Sequence, residues 1–333
     1  MSDFRSRLES FLVARNEKGL IRQLTPDAST REYFRIGWRG EFAIACVYPE
    51  PFSSSEQSYL DVSELFLSAG LPVARVMDVD EALGVIVIED FGDRILRDEL
   101  QTSDDEGREE LIVRAIDLIP HIQAATAKAF QVGSIASKLK FDNEKLFWEL
   151  AFFKTHYFAT FKQQPLVPTL DEALDLEFRK LSLDLERRAS VLCHRDFHAA
   201  NLMLDKDGKL RIIDHQDARI GSVAYDLVSF LLDRVTVPPS ADWLADKRRH
   251  FLSERVRVGL EPLDEDAFST EFRLQTIQRC LKAVGTFSYQ SVNRGKTYFV
   301  PFIKPMFQIV HRAATSLGGF PVLVEVLETE LET

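Results

Sequence analysis

The amino-acid sequence predicts an α+β fold, with a small lobe built on an antiparallel sheet and a larger, mainly helical lobe after it. Before Asp93, short runs rich in β-branched and aromatic residues alternate with turn residues, which is typical of strands. After Asp93, apolar residues recur at helical spacing over several long segments. A length of 333 residues allows two domains. We therefore expect a first lobe at residues 1–92 and a second lobe at residues 93–333.

In the first lobe, the pattern predicts two helices and four strands. Residues 4–18 place apolar side chains on one face, and residues 55–69 do the same until Gly70 and Pro72 stop the helix. Strand character is present at residues 33–36, 42–48, 73–77 and 85–89. The segment IVIEDFGD at 86–93 is expected to form the hinge between the two lobes.

In the second lobe, long helices flank a single hairpin. The helices are predicted at residues 108–129, 141–161, 241–260 and 266–289, with a short one after Leu317. Pro120 should kink the first of them, because a proline inside a helix removes a hydrogen bond at a cost of about 3 kcal/mol. Residues 202–204 and 210–213 flank a Lys-Asp-Gly turn and predict a β-hairpin. Another helix should begin at Tyr225, with Asp226 in its first turn.

Composition restricts the class of partner. Hydrophobic residues make up 45% of the chain and charged residues 28%, as in globular proteins. The formal net charge of −11 disfavours sequence-independent binding to nucleic acids, which needs clustered lysine and arginine. No apolar run is long enough for a membrane span, and the first residues lack a signal-peptide pattern. Three isolated cysteines in apolar runs predict reduced thiols. We therefore expect a cytoplasmic protein without a membrane or an obligate protein partner.

Three polar residues around the hairpin have the identities that phosphoryl transfer needs. Asp196 and Asn201 are separated by the five-residue step of a kinase catalytic loop, and Asp214 follows the second hairpin strand. One carboxylate can accept the proton of an attacking hydroxyl, while an amide oxygen and a second carboxylate can hold Mg²⁺ on the nucleotide phosphates. The alternative is an ordinary hairpin with solvated acidic residues at its ends, but the order and spacing favour phosphoryl transfer.

Three phrases of the sequence resemble the aminoglycoside phosphotransferase and choline kinase branch of the protein-kinase-like fold. They are HRDFHAAN at 194–201, IDHQDA at 213–218 and AYDLVSFLLD at 224–233. The resemblance implies a bilobal fold with ATP between the lobes, Asp196 as the catalytic base, and Asn201 and Asp214 as ligands of Mg²⁺. It also implies that His194 and Asp226 support the catalytic loop, Asp226 by accepting backbone N–H groups.

Two further phrases narrow the resemblance to the anomeric amino-sugar kinases of bacterial cell-wall recycling. DASTREYFR at 27–35 and QRCLKAVGTF at 278–287 resemble segments of those enzymes, which phosphorylate N-acetylmuramate and N-acetylglucosamine on the anomeric hydroxyl. That hydroxyl is more acidic than an ordinary alcohol, so a modest carboxylate base suffices. The alternatives are a kinase of another small alcohol or of an aminoglycoside, and a pseudokinase that binds nucleotide without catalysis.

The expected nucleotide site departs from the kinase pattern in two ways. No glycine lies between Gly19 and Gly37, so the phosphate-binding turn would use small residues, with Ser29 and Arg31 supplying a hydroxyl and a charge. The kinase-like strand also lacks its phosphate-binding lysine, and Cys46 or a neighbour stands there. We expect Arg31 or Arg35 to replace that charge. At the hinge, Glu89 and Phe91 are candidates for contact with adenine, mostly through main-chain groups.

Four residues are candidates for binding the acceptor substrate. They are Glu149, His198, Asp217 and Arg279. A sugar site needs carboxylates for hydroxyl groups and an aromatic face for the ring, and a muramate carboxylate would need a cation such as Arg279 or Lys282. The alternatives stay open for each: a solvated or capping role for Glu149, support of the loop by His198, an ion pair of Asp217 with Arg219, and a solvated face for Arg279.

Overall fold

The computed structural model describes residues 3–24 and 30–332, and it confirms the predicted α+β fold class. The chain divides into two compact units, Met1–Arg108 with Ala200–Asp217, and Glu109–Ala199 with Ala218–Thr333. The predicted boundary of the functional lobes after residue 92 stays a prediction. In the described parts of the chain, no helix combines the length and hydrophobicity of a membrane span.

The elements are numbered here in chain order. The helices are α1 (Asp3–Ala14), α2 (Ser58–Ser68), α3 (Leu96–Thr102), α4 (Asp105–Ala124), α5 (Thr126–Val132), α6 (Ile135–Lys138), α7 (Asn143–Lys154), α8 (Pro168–Arg188), α9 (Tyr225–Leu231), α10 (Ala241–Arg257), α11 (Glu265–Asn293), α12 (Ile303–Leu317) and α13 (Pro321–Glu332). The strands are β1 (Ile21–Leu24), β2 (Glu32–Trp38), β3 (Glu41–Val47), β4 (Val76–Asp80), β5 (Val85–Glu89), β6 (Arg94–Ile95), β7 (Val191–Cys193), β8 (Leu202–Leu204), β9 (Leu210–Ile212) and β10 (Arg219–Gly221).

The first unit is built on a five-stranded antiparallel sheet in the order β1-β2-β3-β5-β4. Its core packs Leu8 and Phe11 of α1 against alternate residues of the strands, such as Phe34 and Val87. This alternation is the period-two burial that a half-covered sheet requires. The predicted strand at 85–89 is confirmed. The strand predicted at 73–77 is wrong by three residues, because Val73 forms a bridge with Ile212 and regular pairing begins at Val76.

The predicted hairpin is confirmed as β8 and β9, which form a three-stranded sheet with β6. Asn201 directly precedes β8, and Asp214 follows Ile213 at the end of β9. The Ile213 N–H donates to the Asn201 carbonyl over 3.1 Å, so the pairing continues one step beyond the strands. The hairpin therefore delivers both side chains to the same end of this sheet.

The second unit is mainly helical, and α11 is its central helix. Helices α7, α9 and α12 all pack on α11. A Cβ atom at Gly285 would lie 2.8 Å from the Phe153 Cα, so glycine allows α7 and α11 to approach closely. Helices α8 and α12 are absent from the sequence-based prediction, although α8 starts at a proline, as helices often do, and buries Leu174, Phe178 and Leu181 on one face.

Several predicted helix boundaries are corrected. The helix predicted at 108–129 is two helices, α4 and α5, and α4 runs through Pro120 to Ala124. The segment predicted at 141–161 is α7 followed by a π-helical turn at Thr155–Phe161. The first helix ends at Ala14, and the second begins at Ser58 after a 3₁₀ turn. Helix ends depend on local hydrogen bonds that apolar spacing does not specify. The predicted start of a helix at Tyr225 is confirmed.

Replacing Glu330 with alanine is expected to destabilise the second unit by about 2 kcal/mol, because it leaves a partly buried lysine without its carboxylate. The Glu330 carboxylate, whose side chain is 7% exposed, accepts hydrogen bonds from Lys162 Nζ at 2.7 Å and from the Tyr157 hydroxyl at 2.5 Å. Thermal unfolding measures the change. Glu328→Ala is the matched control, because its side chain is 60% exposed. Equal melting temperatures for the two variants would contradict this role.

Candidate active site

A buried carboxylate holds the first residues of the loop between β7 and β8. Asp226, in the first turn of α9, accepts the backbone N–H of His194 at 2.7 Å and of Arg195 at 3.1 Å. Burial raises the pKa of Asp226 to about 6, against the effect of His194 and of these two N–H groups. Arg195 has a φ of 85°, which is rare outside glycine and which the two hydrogen bonds help to fix. The arrangement orients the next residue, Asp196.

Asp196 is paired with a cation from the central helix. Arg279 Nη2 donates to Asp196 Oδ1 at 3.2 Å and to the Ser229 hydroxyl at 2.9 Å, while Arg195 Nε lies 3.7 Å from Asp196 Oδ2. Burial alone would raise the pKa of Asp196, but the charges of Lys282, Arg279 and Arg195 outweigh it and hold that pKa well below its ordinary value. The carboxylate is therefore ionised at neutral pH, as a proton acceptor must be.

Two other predicted residues of the second unit lie in polar surroundings close to this pair. Burial lowers the pKa of His198, and its Nδ1 is buried without a hydrogen-bond partner among the described residues. Glu149 is 3% exposed and accepts a hydrogen bond from Gln278 Nε2 at 2.7 Å. Its burial contradicts the solvated alternative for Glu149. The contact of either residue with a substrate stays a prediction.

In the first unit, Asn201 and Asp214 lie together at the end of the hairpin. Asn201 Nδ2 is 3.4 Å from Asp214 Oδ2, and Gln216 Nε2 donates to Asp214 Oδ1 at 2.9 Å. Asp214 has a φ of 62°, which departs from extended strand backbone, and its side chain is exposed. Carboxylate and amide oxygens are the hard ligands that Mg²⁺ prefers, and the residues present fit that ion. Asp217, three residues further, is half-buried.

Arg31 places a positive charge near the position where a kinase-like lysine is missing. Its Nη2 lies 3.7 Å from Asp214 Oδ1, and its Nη1 donates to the Tyr48 hydroxyl at 3.4 Å. Cys46, on β3 opposite Tyr33, is buried, and burial raises the pKa of its thiol to about 11 despite the nearby Arg31 charge. Cys46 is therefore a neutral core thiol. Ser29, the other residue predicted for this region, lies outside the described residues.

Arg35, the second cation expected to replace the lysine, is bound to carboxylates that follow β5. Its guanidinium donates twice to Asp90, at 2.5 and 3.0 Å, and contacts Asp93 at 2.8 Å. A bidentate pair of this kind fixes the side chain in one orientation. Of the two arginines, Arg31 rather than Arg35 faces the carboxylate of Asp214.

The two predicted hinge residues are held by arginines of the first unit. The Glu89 carboxylate lies 3.2 Å from Arg75 Nε and 3.3 Å from Arg211 Nη2, and the Glu89 N–H donates to the Arg75 carbonyl at 3.0 Å. The Arg211 guanidinium lies 4.0 Å from the centre of the Phe91 ring. Because these groups are engaged, a contact of Glu89 with a nucleotide would use its carbonyl. The nucleotide-binding role of both residues stays a prediction.

Sequence reasoning missed a contact that anchors the segment after Asp214. The Ser63 hydroxyl, on α2, lies 2.7 Å from His215 Nε2, and the rings of Tyr59 and Phe66 pack on the His215 ring. Both residues are fully buried. A serine inside an apolar helix stripe gives no signal of its partner, whereas a histidine next to the predicted metal ligand could have been marked as a positioning residue.

Known phosphotransferases are similar to this chain over most of its length. Residues 20–263 match the model of the phosphotransferase enzyme family. An N-acetylmuramate/N-acetylglucosamine kinase of Neisseria meningitidis serogroup B is 29% identical over 92% of this chain and 91% of its own length. A kinase of the same name from Caulobacter vibrioides is 28% identical over 84% and 74%.

A solved structure shares the fold at low identity. The choline kinase of Streptococcus pneumoniae has a TM-score of 0.57 with 14% identity, covering 93% of this chain and 99% of its own, and that protein has also been solved with AMP. The predicted kinase-like fold class is thus confirmed. The match over residues 20–263 shows that this chain belongs to the phosphotransferase enzyme family, whose members include kinases that transfer phosphate to a hydroxyl group, and it is an enzyme of that kind.

Proposed function

We propose that this kinase transfers the γ-phosphoryl group of ATP to the anomeric hydroxyl of an N-acetyl amino sugar, with Asp196 as the catalytic base. The observation that carries the proposal is the fixed position of the Asp196 carboxylate, which accepts a hydrogen bond from Arg279 at 3.2 Å on a loop whose backbone N–H groups are bound by Asp226. The Lys282, Arg279 and Arg195 charges also hold the pKa of Asp196 well below its ordinary value, although burial opposes them. A carboxylate of low pKa is a weak base, and it is best matched to an acidic hydroxyl. The anomeric hydroxyl of a sugar is more acidic than an ordinary alcohol.

In the proposed reaction, Asp196 orients the acceptor hydroxyl and takes its proton as the oxygen attacks the γ-phosphorus. Arg279 holds the carboxylate in one rotamer through its hydrogen bond to Oδ1, and Asp226 fixes the backbone of the loop. Little of the proton needs to be transferred when the transition state is reached, because the transition state of phosphoryl transfer is loose. Orientation by these side chains therefore contributes more than base strength.

The nucleotide side of the proposal assigns Asn201 and Asp214 as ligands of Mg²⁺, and Arg31 as the residue that contacts the ATP phosphates. Held by these two side chains, the ion would neutralise charge on the nucleotide phosphates. The Asn201 and Asp214 side chains lie 3.4 Å apart, which lets both face a single cation after a small rotation. The cytoplasm, where ATP is supplied, is the compartment we propose.

The names of the two relatives support the amino-sugar substrate, since each is similar to this chain over most of its length. The net charge of −11 instead favours a cationic acceptor such as an aminoglycoside, through long-range steering. Three cations around Asp196 oppose a cationic acceptor locally, because a like charge would approach Arg195, Arg279 and Lys282. At contact distance, the charges next to Asp196 determine which acceptor is preferred. The net charge of the protein contributes less, because salt screens charges that are more than about 10 Å away.

The test is ADP release with ATP and magnesium in the presence of N-acetylmuramate, N-acetylglucosamine, choline or kanamycin. We expect turnover with the N-acetyl sugars, together with loss of their reducing-end reactivity. Turnover with choline or kanamycin alone would support the kinase reaction and contradict the proposed amino-sugar acceptor. ATP binding without turnover of any of the four would contradict the proposed acceptor, and a pseudokinase would give that result for every acceptor offered.

A further inference from the structure

One cation of the second unit, Lys282, acts on the Asp196 carboxylate without forming an ion pair with it. Lys282 lies one helical turn after Arg279 on α11, and its side chain is half-buried. Within the described part of the chain, no carboxylate lies within 4.0 Å of its ammonium and no hydrogen bond engages it. Partial desolvation of an unpaired ammonium raises the free energy of the folded protein. Such lysines are therefore candidates for binding an anionic ligand.

The charged groups that face Lys282 are already committed to other partners. Asp196 is bound by Arg279 and flanked by Arg195, and the buried Glu149 accepts from Gln278. Burial and the Arg279 charge lower the pKa of Lys282 to about 8, although Asp196 and Glu149 act in the opposite direction. The ammonium is thus present at neutral pH, and its surroundings leave one positive charge to be matched by a ligand.

The same side of α11 carries aromatic surface further along the helix. Tyr289 lies two turns beyond Lys282, and its ring is 5.0 Å from that of His156 and 6.0 Å from that of Phe152. His156 belongs to the π-helical turn after α7, and its Nδ1 is buried without a hydrogen-bond partner among the described residues. Turns of this kind recur at functional sites. Aromatic rings beside polar groups are typical of sugar-binding surfaces.

We propose that Lys282 binds a carboxylate carried by the acceptor sugar, and so selects acidic N-acetyl sugars over neutral ones; this assignment rests on the proposed function. Residues three apart on a helix are about 5–6 Å apart at their Cβ atoms. That step, from Arg279 beside the base to Lys282, is comparable with the width of a pyranose ring. A sugar with its anomeric hydroxyl at Asp196 can therefore present an acidic substituent of its ring to Lys282.

The competing explanation is that Lys282 acts only on Asp196, by lowering the pKa of that carboxylate. In that case its removal would affect every acceptor equally, since every acceptor uses the same base. Recognition of a carboxylate affects only the acceptor that carries one. The ratio of kcat/KM between an acidic and a neutral sugar separates the two roles, because an effect shared by both sugars cancels in it.

The experiment measures kcat/KM for N-acetylmuramate and for N-acetylglucosamine with the wild-type chain and with Lys282→Met and Lys282→Arg. We expect Lys282→Met to lower the ratio of the acidic to the neutral sugar by about 10- to 100-fold, the usual value of a hydrogen bond between charged groups. Lys282→Arg should recover most of the ratio. Lys304→Met removes the same charge from an exposed position of α12 and should not change the ratio.

A second readout is the pH dependence of the same ratio. Because the pKa of Lys282 is about 8 rather than its ordinary 10.5, the ammonium is present below pH 8 and is lost above it. The ratio should therefore fall as the pH rises through 8, and Lys282→Arg should remove that fall, since arginine keeps its charge. The charged groups that act on Lys282 are Arg195, Asp196, Arg279 and Glu149.

The outcomes distinguish the inference from the function on which it rests. A wild-type chain that phosphorylates neither sugar overturns the proposed function. Turnover of both sugars with a ratio that Lys282→Met leaves unchanged overturns the role of Lys282 alone and supports an effect on Asp196. Melting temperatures equal to that of the wild type show that the variants are folded, so a changed ratio is not an effect of unfolding.

Discussion

Replacing Asp196 with asparagine is expected to lower kcat by about 10³-fold while leaving nucleotide binding within about twofold of the wild type. Asparagine keeps the size of the side chain and still accepts a hydrogen bond from Arg279. It cannot accept the proton of the attacking hydroxyl, so the loss falls on the chemical step. The measurement is kcat from ADP release with the best acceptor, together with ADP affinity by calorimetry.

A matched control for this variant is Asp207→Asn, at the exposed turn of the hairpin between β8 and β9. It makes the same chemical change eleven residues away and should retain full turnover. Asp196→Asn also removes the charge that balances Arg279, so its melting temperature should be compared with that of the control. Turnover by Asp196→Asn at the wild-type rate would show that Asp196 is not the base.

The catalytic loop and the hairpin could be predicted because the information is local. The step from Asp196 to Asn201 is short. The turn between Asp205 and Gly208 brings Asp214 back to the start of β8 through local hydrogen bonds, which include those from the backbone N–H groups of the turn to the Asp205 carboxylate. Short runs of β-branched and aromatic residues similarly predicted the central strands. For these features, most of the residues whose interactions determine the geometry lie close together in the sequence.

The partners that tune these residues could not be predicted, because they come from distant parts of the chain. Arg279 is 83 residues from Asp196, and Ser63 is 152 residues from His215. Both arginine and serine on a helix most often face solvent, and only the packing of α11 and α2 turns these two inward. The sequence offered solvent or a substrate carboxylate for Arg279, and the structure shows that its guanidinium donates a hydrogen bond to Asp196.

The residue that replaces the phosphate-binding lysine could not be chosen from the sequence either. The sequence lacks the kinase-like lysine, and it offers Arg31, directly before β2, or Arg35, within β2, in its place. Their environments differ because Arg35 meets the two carboxylates that follow β5, whereas Arg31 meets the rings of Tyr33 and Tyr48 and the carboxylate of Asp214. Sheet register, which places Tyr33 opposite Cys46, decides this difference and is invisible in a single sequence.

Replacing Arg31 with methionine is expected to lower kcat/KM for ATP by about 100-fold, because it removes a charge that we place on the phosphates. Methionine keeps the length of the side chain and its packing against Tyr48, so the loss should reflect charge. Arg31→Lys should recover part of the activity, since an ammonium at this position restores the charge that other kinases supply from β3. Initial rates at varied ATP and saturating acceptor provide the measurement.

Two controls make the assignment specific to Arg31. Arg22→Met removes an exposed arginine from β1 of the same sheet and should leave kcat/KM for ATP within about twofold. Arg35→Met should instead lower thermal stability, because Asp90 and Asp93 lose the guanidinium that binds them both. If Arg35→Met weakened ATP use while Arg31→Met did not, the phosphate charge would have to be moved to Arg35. That result would require the Asp90 pair to open when the nucleotide binds, since both carboxylate oxygens of Asp90 now hold Arg35.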